Sequence, residues 1–428
     1  MRNLQRRYMD EISTLTEATS NSEQQPIKMS FTAYQKFVVA LLAFLQFTIV
    51  LDFMIMSPLG AIMMPALNMT TAQFGMVVSA YAFSAGISGL LAAGFADRYD
   101  RKKILLFFYV GFIIGTFCCA IAPNYIFLLL ARMVTGLFGG VMGSIVLAIT
   151  TDLFPMSQRG RVMGFIQTAF AASQILGIPV GLFLANLWGW HMPFMAIVVI
   201  SIAAAAIIWW KLQPVDEHLK YKTDNNAFHH LWTTVKNTHY LMAFMVTALM
   251  SLGGFMLMPF GSAFSVHNLG ISLEKLPMVY LITGIATIFI GPAVGRASDL
   301  YGKMKTFWFG AILTIIMVII YTNLGITPLW LVVIVNVLMF SAIFSRIIPA
   351  QAMISGIPTP ENRGAFMAVN ASLQQISGGI ASVIAGLIVV EGATGKIEHF
   401  DTLGYILSGT VIVSVYLMHK VYRRSESH

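Results

Sequence analysis

Charge is scarce in this chain. Only 10% of its 428 residues are charged, and just 18 are Asp or Glu. Soluble domains carry about 25% charged residues. With 57% hydrophobic residues and a mean hydropathy of +0.77, the chain would expose large apolar patches in water. A soluble globular domain is therefore excluded, and lipid is the solvent that suits it. Cysteine is scarce too: Cys118 and Cys119 are the two present, and they are adjacent. Neighbours in one helix cannot usefully bridge, so there is no disulfide framework.

Catalytic signatures are also missing. There is no His-Glu-x-x-His pair, no phosphate-cradling glycine loop, and no Ser/His or Cys/His set at matching depth. The chain reads as neither an enzyme nor a metal protein. With no nucleotide motif and no cofactor, its energy is expected from a proton gradient. The net charge of +8 does not point to nucleic acid, because the basic residues sit in short loops between apolar runs. No cleavable signal is recognisable: residues 1–35 are polar and mixed in charge, and the first apolar run is too long.

What is present is a series of long apolar runs. A spanning helix needs about 20 mostly apolar residues. Twelve runs qualify: 37–64, 73–96, 104–122, 125–151, 162–186, 193–211, 238–265, 276–297, 306–322, 328–355, 364–389 and 402–420. All but four of the 26 Lys and Arg fall on one side of these runs. Lys275 and Lys396 fall on the other side, and Arg132 and Arg346 fall within helices. By the positive-inside rule both termini are cytoplasmic and the helix count is even.

The longest polar interruption, 212–237, divides the helices six and six. The expected organisation is a cytoplasmic tail over 1–35, a first bundle over 36–211, a linker over 212–237 and a second bundle over 238–428. The halves echo each other. Asp97-Arg98 follows helix 2 and Asp299 follows helix 8. Arg159-Gly160, Met163 and Ser173 reappear 204 residues later as Arg363-Gly364, Met367 and Ser377. The fold class is an all-α polytopic membrane protein, with twelve transmembrane helices in two six-helix bundles.

Two charges lie deep within spans. Burying a charge in lipid costs several kcal/mol unless it is paired, so such residues face a cavity or each other. Asp52 is the sole deep carboxylate. It lies 15 residues past Phe37, about 22 Å from the inner face. Arg132 lies 7 residues past Tyr125, hence about 20 Å from the same face of a core about 30 Å thick. Equal depth predicts that the two can pair. Arg346, nearer the inner face, reads as snorkelling to the interface.

Four local patterns now add up, the first of them repeated at helix 8. The helix 2–3 loop reads Gly94-Phe95-Ala96-Asp97-Arg98-Tyr99-Asp100-Arg101-Lys102-Lys103. Helix 8 ends Gly295 to Asp299 and Gly302. Helix 4 reads Arg132-Met133-Val134-Thr135-Gly136, then Gly139-Gly140. Helix 5 reads Gly177-Ile178-Pro179-Val180-Gly181, and helix 1 reads Leu51-Asp52-Phe53. With the repeat and the topology, the chain resembles the major facilitator superfamily over about 36–420. It looks closest to bacterial proton antiporters of the arabinose-efflux and multidrug type.

The resemblance implies proton coupling at Asp52 and Arg132. It also implies a cytoplasmic gate at Asp97, Arg98, Arg101, Asp299 and Arg363, and bending of helix 5 at Gly177, Pro179 and Gly181. Helices 1, 4, 7 and 10 would line a substrate cavity, with Gln46, Met256, Phe260 and Asn336 as its candidates. The expected activity is export of a small amphipathic or apolar solute, by a monomer in the bacterial inner membrane. A proton symporter importing a nutrient and a non-transporting receptor are the alternatives.

Overall fold

The computed structural model describes residues 31–95, 99–216, 219, 227–359, 362–393 and 395–426. By packing, Met1–Val38 and Val39–His428 are separate units. The second unit carries the helical bundles.

In lipid each backbone N–H and C=O must find its partner inside the segment, so long apolar runs become helices. Twelve described helices are long and apolar enough to span a membrane: α1 Ala33–Ile55, α2 Thr71–Ala92, α3 Arg101–Ala120, α4 Tyr125–Leu153, α5 Gln158–Trp188, α6 His191–Lys211, α7 Tyr240–His267, α8 Leu276–Tyr301, α9 Lys303–Thr322, α10 Leu329–Ile354, α11 Arg363–Ile388 and α12 Phe400–Arg423. They match the twelve apolar runs. A short helix, Ala227–Lys236, precedes α7. A two-stranded hairpin, β1 Val390–Glu391 and β2 Ile397–Glu398, precedes α12.

Turn chemistry sets the ends. The Asp100 side chain caps α3 by accepting from Lys102 N, and the Asn124 side chain caps α4 by accepting from Phe127 N. Gly189 at φ 93° and Gly302 at φ 96° make the tight reversals after α5 and α8, where a Cβ would be strained.

Proline breaks three runs that read as single helices. After α1, Pro58 cannot donate to the turn below, and the chain restarts as the short helix Gly60–Ala66. In α7, Pro259 tightens Met258–Phe260 into a 3₁₀ turn. In α5, Ser173–Gly177 widen into a π-turn just below Pro179.

The first six spans pack mainly among themselves, as do the last six, with α2–α11 and α5–α8 joining them. Small residues allow the α2–α11 approach: a Cβ on Gly75 would lie 2.6 Å from Ser382 O. Arg101, Arg159, Lys303 and Arg363 mark one end of the spans, the basic end; the opposite one is the far end.

The far end is closed across the halves. Ser262 Oγ on α7 donates to Ser57 O at 2.9 Å, Thr71 Oγ1 donates to Val389 O, and Asn186 Nδ2 donates to Leu273 O at 2.8 Å. The α5–α8 pair tells the two ends apart. Midway along, a Cβ on Gly284 would lie 2.9 Å from Ile175 Cα. Towards the basic end, a Cβ on Gly160 or Gly164 of α5, or on Gly291 or Gly295 of α8, would meet nothing within 4 Å. The two helices touch in their far halves and part in their basic halves.

Candidate functional site

The centre of the first bundle holds one charge pair. Arg132 Nη1 on α4 donates to Asp52 Oδ2 on α1 at 2.8 Å, and both side chains are 0% exposed. Thr116 Oγ1 on α3 donates to Asp52 Oδ1 at 3.1 Å. The guanidinium carbon stands 4.6 Å from the centroid of the Tyr81 ring on α2, which adds a cation–π contact. Among the described residues, Arg132 Nε and Nη2 find no oxygen or nitrogen acceptor. The pair is therefore held by four helices but is not fully satisfied.

Close approach of backbones makes this possible. A Cβ on Gly136 would lie 2.3 Å from Tyr81 O, and one on Gly140 would lie 2.4 Å from Ala85 Cα. The glycines of α4 exist because α2 crosses there. On α3, a Cβ on Gly115 would lie 2.8 Å from Thr135 N.

A cavity of about 160 Å³ adjoins the pair, lined in part by Gln46, Phe53, Tyr81, Gly139, Gly143 and Gln375. It lies between the halves, with Gln375 coming from α11. Neither Asp52 nor Arg132 lines it. Tyr81 belongs to both, with its ring against the guanidinium and on the cavity wall. Phe53 packs on Tyr81 at 5.1 Å and on Phe255 of α7 at 5.8 Å.

The α5 motif packs along α1 beside the pair. Ser173 Oγ donates to Phe47 O at 3.1 Å. A Cβ on Gly177 would lie 2.5 Å from Leu51 Cδ1, and one on Gly181 would lie 2.7 Å from Ile55 Cδ1. Pro179 is buried in the helix that follows the π-turn. These contacts flank Asp52 on both sides along α1.

Other expected residues lie elsewhere. Asp97 and Arg98 fall outside the described residues. Arg101 is buried within the first bundle: its Nε donates to Asp152 Oδ2 at 3.0 Å and its backbone N to Val215 O at 3.0 Å. It clamps α3, α4 and the segment after α6 together. Asp299 and Arg363 are exposed at the basic end with no ion-pair partner among the described residues, as befits a basic end whose helices are apart.

Gln46 lines the cavity, whereas Met256, Phe260 and Asn336 do not. Met256 and Phe260 are buried, and Phe260 packs edge-on against Phe74 at 6.0 Å. The 3₁₀ turn at Pro259 precedes that far-end contact. Asn336 Nδ2 donates to Val332 O at 3.0 Å in its own helix.

Arg346 corrects the snorkelling expectation, for it is 2% exposed. Sequence reasoning misses Tyr81, Thr116 and Phe53. Thr116 stands 15 residues past Arg101, about 22 Å along α3, so a depth count like that for Asp52 reaches it.

Two helical bundles with a sealed charge pair beside a cavity define a multi-pass membrane transporter of small molecules. The Major Facilitator Superfamily profile matches residues 42–382 and 243–425, and the chain belongs to that family. It is similar to the MFS-type transporter YceJ of Bacillus subtilis (strain 168), 25% identical over 373 residues, 86% of this chain and 94% of that protein. It is also similar to Multidrug resistance protein 3 of the same organism, 30% identical over 152 residues, 36% of this chain and 30% of that one. In fold it is similar to a bacterial homologue of the human lysosomal transporter Spinster in an inward-facing and occupied conformation. That match has a TM-score of 0.72 and 14% identity, and covers 92% of this chain and 98% of the other.

Proposed function

We propose that this chain is a proton-coupled antiporter that exports a small amphipathic solute by alternating access. On this reading it works as a monomer in the bacterial inner membrane, with the basic end cytoplasmic. The carrying observation is the fully buried Asp52–Arg132 pair beside the cavity. An ion pair sealed from water is balanced between a large desolvation cost and a large attraction. Adding one proton to Asp52 removes the attraction and leaves Arg132 to find other partners. That change gives the bundle two preferred arrangements, biased by proton and solute.

Partial similarity to Multidrug resistance protein 3 is in keeping with export. The parted basic halves of α5 and α8 suit a carrier loading from the cytoplasm. The test is solute flux in proteoliposomes under an imposed pH gradient. Wild-type protein is expected to move solute against its gradient and opposite to the proton. Asp52→Asn is expected to fold yet lose gradient-driven movement. Undiminished concentrative transport by that variant refutes the mechanism, and movement of solute with the proton makes the protein a symporter.

A further inference from the structure

Two arginines are buried deep within the described spans, away from the helix ends, and only one of these two has a carboxylate. Arg132 has Asp52. Arg346, on α10, is 2% exposed; its Nε is buried without an acceptor, and no ion pair or hydrogen bond to it exists among the described residues. Its Nη2 lies 3.6 Å from where a Cβ on Gly253 of α7 would stand, with Leu407 and Thr410 of α12 around the same point. Gly253 and Thr410 are each 13 residues from the basic ends of their helices, about 20 Å in. The guanidinium is deep in the second bundle, not at its edge.

No protein group there can neutralise it. Within the described spans of that half, the carboxylates are Asp299, near the basic end of α8, and Asp401, near the far end of α12. Arg does not deprotonate to escape the cost. An uncompensated buried cation costs several kcal/mol, so its charge is expected to be met by something that comes and goes. Thr410 Oγ1 donates to Leu407 O and carries no charge to set against the guanidinium, and Gly253 puts no side chain in front of it. A planar fork with unspent N–H donors fits a two-oxygen anion best.

We propose that Arg346 is the docking point for an oxyanion, such as a carboxylate, sulfonate or phosphonate, carried by the transported solute. This rests on the transport reading for the solute but not on proton coupling, and it narrows an amphipathic solute to an anionic one.

The test uses the full chain in phosphatidylcholine nanodiscs, which excludes anionic headgroups as the source. The probes share one ring: benzoate, benzenesulfonate and phenylphosphonate against neutral benzamide and cationic benzylammonium. At least one of the three anions is expected to raise the Tm of the wild-type protein, while benzamide and benzylammonium do not. Arg346→Gln is expected to lose that response. Arg346→Lys, which keeps the charge but not the fork, is expected to bind about tenfold or more weakly.

Ligand-free Arg346→Gln is expected to be at least as stable as wild type, because an unpaired buried charge has gone. Anion binding is read on Arg346→Gln and proton-driven flux on Asp52→Asn, so docking and coupling are measured on different variants. The proposal is overturned if no anion outperforms benzamide on wild type, or if Arg346→Gln responds like wild type. It is equally overturned if ligand-free Arg346→Gln is several degrees less stable or does not fold, which would make Arg346 structural.

Discussion

Arg132 donates to Asp52 at 2.8 Å with neither side chain reaching solvent, so each residue is tolerable only because of the other. Removing one leaves an uncompensated buried charge, which costs about 3–5 kcal/mol. Arg132→Gln is therefore expected to lower the Tm sharply. The double variant Asp52→Asn/Arg132→Gln is expected to recover most of that loss while remaining uncoupled. A thermal-unfolding cycle over the four proteins measures it. Additive effects would mean that the pair does not interact energetically.

Tyr81 separates the pair from the cavity. Tyr81→Phe keeps a ring against the guanidinium and is expected to transport. Tyr81→Ala removes a cation–π contact of about 0.5–2 kcal/mol and opens Asp52 to cavity water. Its expected signature is proton leak into vesicles without solute, read with an entrapped pH dye. A tight Tyr81→Ala would rule out this barrier.

Glycine substitutions should split by what a Cβ meets. Gly136→Ala on α4 places a methyl against the backbone of α2, where neither helix can yield cheaply. A cost of about 1–3 kcal/mol is expected. Gly164→Ala on α5 meets nothing within 4 Å and is expected to be neutral in stability. Comparing the two Tm values checks the crossing geometry.

The empty space along the basic halves of α5 and α8 predicts a trap. Gly164→Trp fits the open arrangement but is expected to block approach of the two helices. The variant should fold, bind solute from the basic side and fail to release it opposite. Combined with Ser298→Cys, at a buried position on α8, it should hold one constant level of thiol labelling there instead of varying with solute. Normal turnover by Gly164→Trp would show that these halves never close.

Much of the architecture is legible in the residues because lipid admits so few solutions. Apolar length sets the twelve spans, and matching depth brings Asp52 to Arg132. What the residues leave illegible has a common cause. Length and depth place a residue along a helix axis but not around it. Phe260 and Asn336 sit on the helices expected, yet one packs on Phe74 and the other bonds its own backbone. Arg101 reads as part of a gate because its motif lies at a helix end, and its pairing with Asp152 is a contact 51 residues away that no local pattern announces. For Arg346, position along α10 suggests the interface, but the direction of its side chain is not legible.

The π-turn at Ser173–Gly177 has a consequence for phase. It fits one more residue into the turn than an α-helix does, and one residue is worth about 100° of rotation. The stretch Ile178–Trp188 is thus indexed differently from Met156–Ala172, and a helical wheel drawn through both would misplace every face beyond the turn. Deleting one residue within 173–177 is expected to close the π-turn to an ordinary α-turn and leave Gly181 facing Ile55, because the extra residue is what the turn absorbs. In coding terms, α5 carries the equivalent of one extra codon, and the π-turn absorbs it so that the upper helix still presents Gly181 to Asp52's neighbours.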